Sequence, residues 1–78
     1  LVVPHQANQR ISDAVAERLG IAPDKIFQNI GRYGNTTAAS IPIALTEARD
    51  AGRIRPGDLV VLAAFGAGFA WGAVALRW

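Results

Sequence analysis

Apolar and polar positions recur with different periods along the chain, and each period predicts an element. Leu1 to Val3 are apolar and are followed by a proline, which indicates the end of a buried strand. A helical period comes next, with Asn8 as a typical N-cap and Gly20 as a typical stop. We expect this helix to bury one apolar face. That face carries Ile11, Ala14, Val15, Arg18 and Leu19.

The middle of the chain predicts a short strand and a second helix. Ile26 to Ile30 are typical of a strand, and the glycine-rich loop "GRYGNTT" follows them. A helix is then predicted from about Thr37 to Ala51, ended by Gly52, with Pro42 near its first turn. Its apolar face carries Ile41, Ala44, Leu45 and Ala48, and its solvent face carries Glu47, Arg49 and Asp50.

The uncharged run "LVVLAAFGAGFAWGAVAL", residues 59–76, has the length of a membrane-spanning helix. However, its "GAG" segment splits it into two halves of strand length that are rich in β-branched and aromatic residues, so a β-hairpin is favoured. The element order is therefore β-α-β-α-β-β, and the fold class is α/β. Strands joined by right-handed helical crossovers predict a parallel sheet, made mixed by a final antiparallel strand.

Length and composition limit the class of protein. The chain has 78 residues, enough for one small domain, and a domain of this size buries only about 60–65% of its unfolded surface. It has no cysteine and one histidine, so we expect no metal site. The 51% hydrophobic content, and a start without methionine inside a predicted strand, indicate a piece of a longer protein. The missing cysteines fit a reducing compartment.

The charge pattern does not favour nucleic acid as a partner. The net charge is +2, from eight basic and six acidic residues that are spread through helix and loop segments. No basic stripe alternates with aromatic residues, as a nucleic-acid-binding surface typically requires. We therefore expect most charges to belong to a solvated face.

Three loops leave the carboxyl ends of the predicted parallel strands, where ligands collect in open α/β sheets. They are "PHQAN", "GRYGNTT" and "GAG", so His5, Asn35 and the Gly66–Gly68 turn should share one edge of the sheet. A neutral imidazole donates one N–H and an asparagine amide donates two. If they converge on one carbonyl oxygen, these donors would stabilise an enolate or oxyanion. A nucleophile is not evident, since cysteine is absent.

Each of these features also has a structural interpretation, and the residues alone leave both open. A lone histidine in a small domain is commonly structural, and Asn35 after Gly34 would suit a turn that needs positive φ. The "GAG" segment is a hairpin turn by default. The aromatic residues Phe69, Trp71 and Trp78 fit a core or an interface. The hydroxyl residues Ser12, Ser40, Thr36 and Thr37 fit helix and cap roles.

Four blocks of the sequence are specific when they are taken together. They are "VPHQANQRI", "RYGNTTAASIPIAL", "AGRIRPGD" and "LAAFGAGFAWGAVALRW", in this order and spacing. They closely resemble the carboxyl-terminal part of the β-ketoacyl-acyl-carrier-protein synthase III family, the initiating condensing enzymes of type II fatty-acid synthesis. The resemblance covers Val2 to Trp78. It implies a thiolase-like fold of two similar halves, with residues 1–78 in the second half of the catalytic domain and the first half outside the chain.

The resemblance implies a Cys-His-Asn catalytic set, with the histidine role on His5 and the asparagine role on Asn35. In this family the cysteine takes the acyl group from acyl-CoA, and the two donors hold the malonyl thioester carbonyl during decarboxylation. The backbone N–H of Ala67 would complete the oxyanion hole with the cysteine's own N–H. Because the cysteine belongs to the absent half, we expect the chain alone to be inactive. The family uses CoA and phosphopantetheine thioesters as substrates and no further cofactor.

The resemblance also implies partners. The carrier-protein docking segment would comprise Gln6, Ala7, Asn8, Gln9 and Arg10. Arg10 would meet the acidic helix of the acyl-carrier protein, and Ala7 and Asn8 would line the tunnel for pantetheine and CoA. The family further implies a homodimer in the cytoplasm, without a membrane partner.

Two alternatives stay open at this point. A related Cys-His-Asn enzyme, such as a starter-unit synthase of aromatic polyketides, would share the same motifs. A non-catalytic fragment would only dock a carrier protein. An active-site cysteine upstream of this chain would separate the enzymes from the fragment.

Overall fold

The computed structural model describes all 78 residues, and their strands form one three-stranded sheet in the order β1-β2-β3. The strands are β1 Val2–Pro4, β2 Leu59–Gly66 and β3 Ala70–Arg77. The α-helices are α1 Gln9–Leu19, α2 Ile30–Tyr33 and α3 Ser40–Asp50. Short 3-10 turns lie at Pro23–Lys25, Thr37–Ala39 and Ala67–Phe69. Strands β1 and β2 are parallel, and β2 and β3 are antiparallel, which confirms the α/β class and the mixed sheet.

The uncharged run forms a β-hairpin, as predicted. Leu59 is opposite Arg77 and Gly66 is opposite Ala70, so β2 is paired with β3 over its whole length. The helices of the chain are all too short or too polar to cross a membrane.

The predicted second strand, Ile26 to Ile30, is reduced to a single bridge. Ile26 makes a parallel bridge with Val2, and the Phe27 N–H donates to the Val2 carbonyl oxygen at 2.8 Å. The chain then leaves the sheet, because a buried glutamine side chain bonds the Phe27 carbonyl oxygen and the Asn29 N–H in place of a strand ladder. The segment keeps its expected position beside β1, but the short helix α2 takes the place of the end of the strand.

Helix α1 begins and ends where the sequence predicts, but it buries a different face. The Asn8 side chain accepts the Arg10 N–H at 2.9 Å, and Gly20 ends the helix with φ 66°. The buried residues are Ser12 and Ala16. The face predicted to be buried is exposed: it carries Ile11, Ala14, Val15, Arg18 and Leu19.

Helix α3 packs on the sheet through two small residues. Ala44 and Ala48 are fully buried, as the apolar period predicts. The regular helix begins three residues later than expected, because a 3-10 turn that starts at Thr37, with φ 53°, precedes it. The core cluster consists of Val3, Phe27, Ala44, Ala48, Ile54 and Val60. The core therefore lies between α3 and one face of the sheet.

Glu47 of α3 is only partly exposed, whereas the prediction placed it on the solvent face. Its carboxylate accepts a hydrogen bond from Asn29 Nδ2 at 2.6 Å and forms an ion pair with Arg32. These contacts tie α2 to α3. The loop between the two helices, which contains Asn35, is therefore fixed at both of its ends.

Candidate functional site

Two of the three predicted loops meet where β1 and β2 end, and we call this side of the sheet the carboxyl edge. The His5 N–H donates to the Ala63 carbonyl oxygen at 2.7 Å, which continues the parallel pairing one residue beyond β1. β2 runs on to Gly66 before it turns at Ala67–Phe69. Because the two strands are parallel, His5 and the glycine-rich turn lie at the same edge.

His5 is held through one ring nitrogen only. Its Nδ1 forms a hydrogen bond with Ser40 Oγ, and its Nε2 makes no hydrogen bond within the chain. Ser40 is the first residue of α3 and is 2% exposed. The ring is half-buried, so it is neither a core residue nor a mobile surface residue. This arrangement fixes the imidazole and leaves one nitrogen available to a ligand.

Asn35 lies in the exposed loop between α2 and α3. Its Oδ1 accepts the Thr37 N–H at 2.9 Å, whereas its Nδ2 makes no hydrogen bond within the chain. The positive φ angles of this loop belong to Gly34 and Thr37, so Asn35 is not required here for a left-handed turn. Only one short 3-10 turn separates Asn35 from Ser40, the partner of His5. The loop therefore carries a second available donor, five residues before the serine that bonds His5.

The glycine-rich turn presents main chain at the same edge. Gly66 is extended, and Gly68 adopts φ 76°, a conformation that residues with a side chain rarely take. Ala67 between them is exposed and has only a methyl side chain. Its N–H can therefore be approached closely by a ligand.

Gln6 follows His5 but is internal, with an exposed fraction of 2%. Its Nε2 donates to the carbonyl oxygens of Pro4 and Phe27 at 2.9 and 3.2 Å, and its Oε1 accepts the Asn29 N–H at 3.0 Å. A side chain fully occupied with the main chain has no group left for a partner. Gln6 therefore does not fit the expected direct contact with a carrier protein, and its role in this structure is to hold the His5 segment in place.

The other residues of the expected docking segment lie closer to solvent. Ala7 is half-buried, and Asn8, Gln9 and Arg10 are exposed. Asn8 caps α1, and Gln9 donates to Asp13 at 3.2 Å. Arg10 has no ion-pair partner in the chain. It lies at one end of a shallow apolar groove on the exposed face of α1, lined by Arg10, Ile11, Ala14, Val15, Arg18 and Leu19.

The largest concave surface lies at the opposite end of the sheet, beside Leu1 and Leu59. It is polar, and Arg53 there donates to the Asp24 carbonyl oxygen at 2.7 Å. None of the predicted site residues lines this surface. This surface therefore takes no part in the predicted site, and Ser40 at the carboxyl edge is the contact that sequence reasoning missed.

Comparison with known proteins gives one consistent family. Residues 1–78 match the protein family described as "3-oxoacyl-(acyl-carrier-protein) synthase III C terminal". The β-ketoacyl-(acyl-carrier-protein) synthase III of Symbiobacterium thermophilum is 64% identical over 78 residues, and that of Nitratidesulfovibrio vulgaris is 61% identical over 77 residues. The chain spans only 24% and 23% of the length of these two relatives.

Solved structures give the same result. The crystal structure of the 3-oxoacyl-(acyl-carrier-protein) synthase III of Aquifex aeolicus superposes with a TM-score of 0.98 at 58% identity, covering 100% of this chain and 25% of that chain. OleA from Xanthomonas campestris superposes with a TM-score of 0.92 at 30% identity, over 99% of this chain and 23% of its own. The fold of the 78 residues is thus similar to one segment of these larger proteins.

Proposed function

The chain belongs to the 3-oxoacyl-(acyl-carrier-protein) synthase III family, and from this premise we propose that it supplies the decarboxylation donors of a condensing enzyme. That enzyme would join an acyl-CoA starter to malonyl-carrier protein and so begin fatty-acid synthesis. The observation that carries the proposal is the bonding of His5 and Asn35, since each side chain is held through one atom and keeps one nitrogen unbonded. Since the chain spans about a quarter of its relatives, the remaining groups lie outside it.

The proposed reaction uses these donors when charge develops on oxygen. The bond from the malonyl Cα to its carboxylate breaks, CO₂ leaves, and the electron pair moves into the thioester enolate. N–H groups of His5 and Asn35 stabilise the enolate oxygen without losing a proton. The enolate carbon then attacks the acyl group on a cysteine outside this chain, and the thiolate leaves.

The second half of the condensation would use the glycine-rich turn. Attack on the acyl thioester gives a tetrahedral oxyanion. This oxyanion accepts hydrogen bonds from the backbone N–H of Ala67 and from the N–H of the cysteine outside this chain. An exposed backbone N–H fits this role because it carries no charge and is fixed by the turn. The products are a β-ketoacyl-carrier protein and the regenerated cysteine, so no cofactor is needed.

The partner in this proposal is an acyl-carrier protein. Arg10 supports it as an exposed cation without an ion pair, beside the exposed Asn8 and Gln9. Ala7 and Asn8 lie between Arg10 and His5 in sequence, where a pantetheine arm would pass. Gln6 takes no direct part, because it is buried. A homodimer and an acyl-CoA starter complete the proposal.

The test uses a chimeric enzyme, in which residues 1–78 replace the matching segment of the Symbiobacterium thermophilum synthase III. We expect His5→Ala and Asn35→Ala each to lower malonyl decarboxylation by about 10²–10³-fold, the usual cost of one oxyanion donor. Acyl transfer from CoA to the cysteine should stay near the parental rate, because neither residue is the nucleophile. Glu17→Ala, at an exposed position of α1 outside the expected docking segment, is the control and should leave both steps unchanged.

Two results would refute this function. Parental decarboxylation in both variants would remove the donors from the mechanism. A selective loss of acyl-enzyme formation in Asn35→Ala would show that Asn35 acts in acyl transfer and not in decarboxylation. A parental chimeric enzyme that binds carrier protein without any turnover would instead favour the docking fragment.

A further inference from the structure

Ser40 is a buried hydroxyl residue that the proposed mechanism does not use. It opens α3, but the N-cap position belongs to Ala39, which makes no side-chain cap bond. The Ser40 hydroxyl therefore has no role in capping, although serine at a helix start commonly has one. Instead, its Oγ contacts His5 Nδ1 and accepts the Gln6 N–H at 3.2 Å. Both contacts go to the segment that leaves β1.

The hydrogen bonds of the Ser40 hydroxyl determine which nitrogen of the His5 ring carries the proton. A hydroxyl has one hydrogen to donate and two lone pairs. One lone pair accepts the Gln6 N–H, and the only further partner of the oxygen is His5 Nδ1. If Nδ1 carried the proton, the Ser40 hydrogen would be buried without an acceptor, which is unfavourable. The fully bonded arrangement has Ser40 donating to an unprotonated Nδ1.

We infer that Ser40 is a positioning residue that holds His5 in the neutral tautomer with its proton on Nε2. This inference rests on the proposed function, in which Nε2–H donates to the malonyl thioester carbonyl. In the other tautomer, Nε2 would present a lone pair to the carbonyl oxygen and repel the enolate. Ser40 does not touch the substrate in this scheme. It determines which ring nitrogen carries the donor.

The kinetic test compares hydroxyl deletion with hydroxyl retention in the chimeric enzyme. Ser40→Ala should lower kcat for malonyl decarboxylation by about 10–100-fold, by analogy with the loss of the outer hydrogen-bond partner of a metal-binding histidine. The KM for malonyl-carrier protein and the rate of acyl transfer should change little. Ser40→Thr keeps the hydroxyl and should recover most of the lost kcat. Ser12→Ala removes another buried serine hydroxyl, on α1, and should have no such effect.

The tautomer itself is measured without substrate. In the chimeric enzyme labelled with ¹⁵N-histidine, the His5 signals are assigned by their loss in His5→Gln. We expect a protonated Nε2 and an unprotonated Nδ1 in the parent and in Ser40→Thr, and a mixture of tautomers in Ser40→Ala. This measurement stands apart from the proposed function, because it needs no turnover.

The outcomes separate the two ideas. Protonated Nδ1 in the parent, or unchanged tautomer and kcat in Ser40→Ala, would overturn the role of Ser40. If Ser40→Ala fails to fold, the parent and Ser40→Thr spectra still decide the tautomer. The correct tautomer together with full decarboxylation in His5→Ala would retain the Ser40 contact and refute the proposed function instead.

Discussion

The oxygen and the nitrogen of the Asn35 side-chain amide have different roles, and one substitution can distinguish these roles. Oδ1 holds the Thr37 N–H, whereas Nδ2 is the proposed donor to substrate. Asn35→Asp keeps an oxygen for Thr37 but replaces the donor with a negatively charged acceptor. We expect it to lower malonyl decarboxylation in the chimeric enzyme by at least about 10²-fold. The midpoint of thermal unfolding should stay close to that of the parent. Decarboxylation at the parental rate would show that Nδ2 is not the donor.

For single residues, the sequence identifies those that lie where a strand or helix begins or ends. It does not identify those whose role depends on a contact with a distant part of the chain. His5 follows a strand end and Asn35 follows a glycine, so topology alone predicts that they share an edge. Ser40 lies 35 residues from His5 in the chain, and a serine at the start of a helix is ordinarily a cap. Only the packing of α3 against the end of β1 reveals the hydrogen bond between them.

Among the elements, the segment beside β1 is held by a side chain rather than by a strand ladder. Gln6→Leu would leave the Phe27 carbonyl oxygen and the Asn29 N–H without their partner. Each buried main-chain group left unpaired costs about 1–3 kcal/mol. We therefore expect a clearly lower midpoint of thermal unfolding for this variant of the chimeric enzyme. Gln9→Leu, which loses only an exposed bond to Asp13, should melt like the parent. Equal midpoints for all three proteins would show that Gln6 does not hold this segment.

The same contacts explain why the second strand was predicted too long. Ile26 to Ile30 have strand-like composition, but the Phe27 carbonyl oxygen and the Asn29 N–H bond the side chain of Gln6. A glutamine 21 residues away from Phe27 gives no local signal of this competition. The orientation of α1 has a related cause. A helical period identifies the apolar stripe but does not identify what the stripe packs against, and within this chain the stripe stays exposed.

Helix α1 also carries the proposed docking charge, and Arg10→Glu tests it. We expect a higher KM for malonyl-carrier protein, with a larger effect at low salt, because salt screens the attraction between an exposed cation and an acidic partner. The use of acyl-CoA should change little. Arg55→Glu makes the same charge change in an exposed turn before β2, at the other end of the sheet, and is the matched control. Equal impairment with both substrates in Arg10→Glu would indicate a folding defect instead of a docking contact.

For the whole molecule, the sheet has one partly covered face and one free edge. The core lies on the α3 side, while β3 pairs only with β2 and leaves its outer edge open. Alternate residues of a strand point to opposite faces. Trp71 and Val74 therefore lie on different faces of β3, and they are 81% and 56% exposed. This exposure on both faces is consistent with a chain that spans about a quarter of its relatives.

These surfaces predict how residues 1–78 behave on their own. Large apolar side chains of the hairpin and of α1 are exposed. At about 25 cal/mol per Å², each ~300 Å² of apolar area left in water forgoes roughly 7.5 kcal/mol. That loss is comparable to the whole stability of a small domain, about 5–15 kcal/mol. An unpaired, apolar edge strand also favours association between chains. We expect the isolated chain to associate or to unfold without a cooperative transition, as measured by sedimentation velocity and circular dichroism melting.

A charge on β3 provides the control for this prediction. Val74→Lys should increase the monomer fraction of the isolated chain, because it places a cation on the open strand. In the chimeric enzyme the same substitution should lower the midpoint of thermal unfolding, since β3 would there be covered by the rest of the protein. The opposite results would mean that β3 is exposed to solvent in the full protein as well. These results are a monomeric parent chain and a chimeric enzyme whose midpoint of thermal unfolding is unchanged by Val74→Lys. A sharp, reversible and monomeric melt of residues 1–78 would likewise show that they form an autonomous domain.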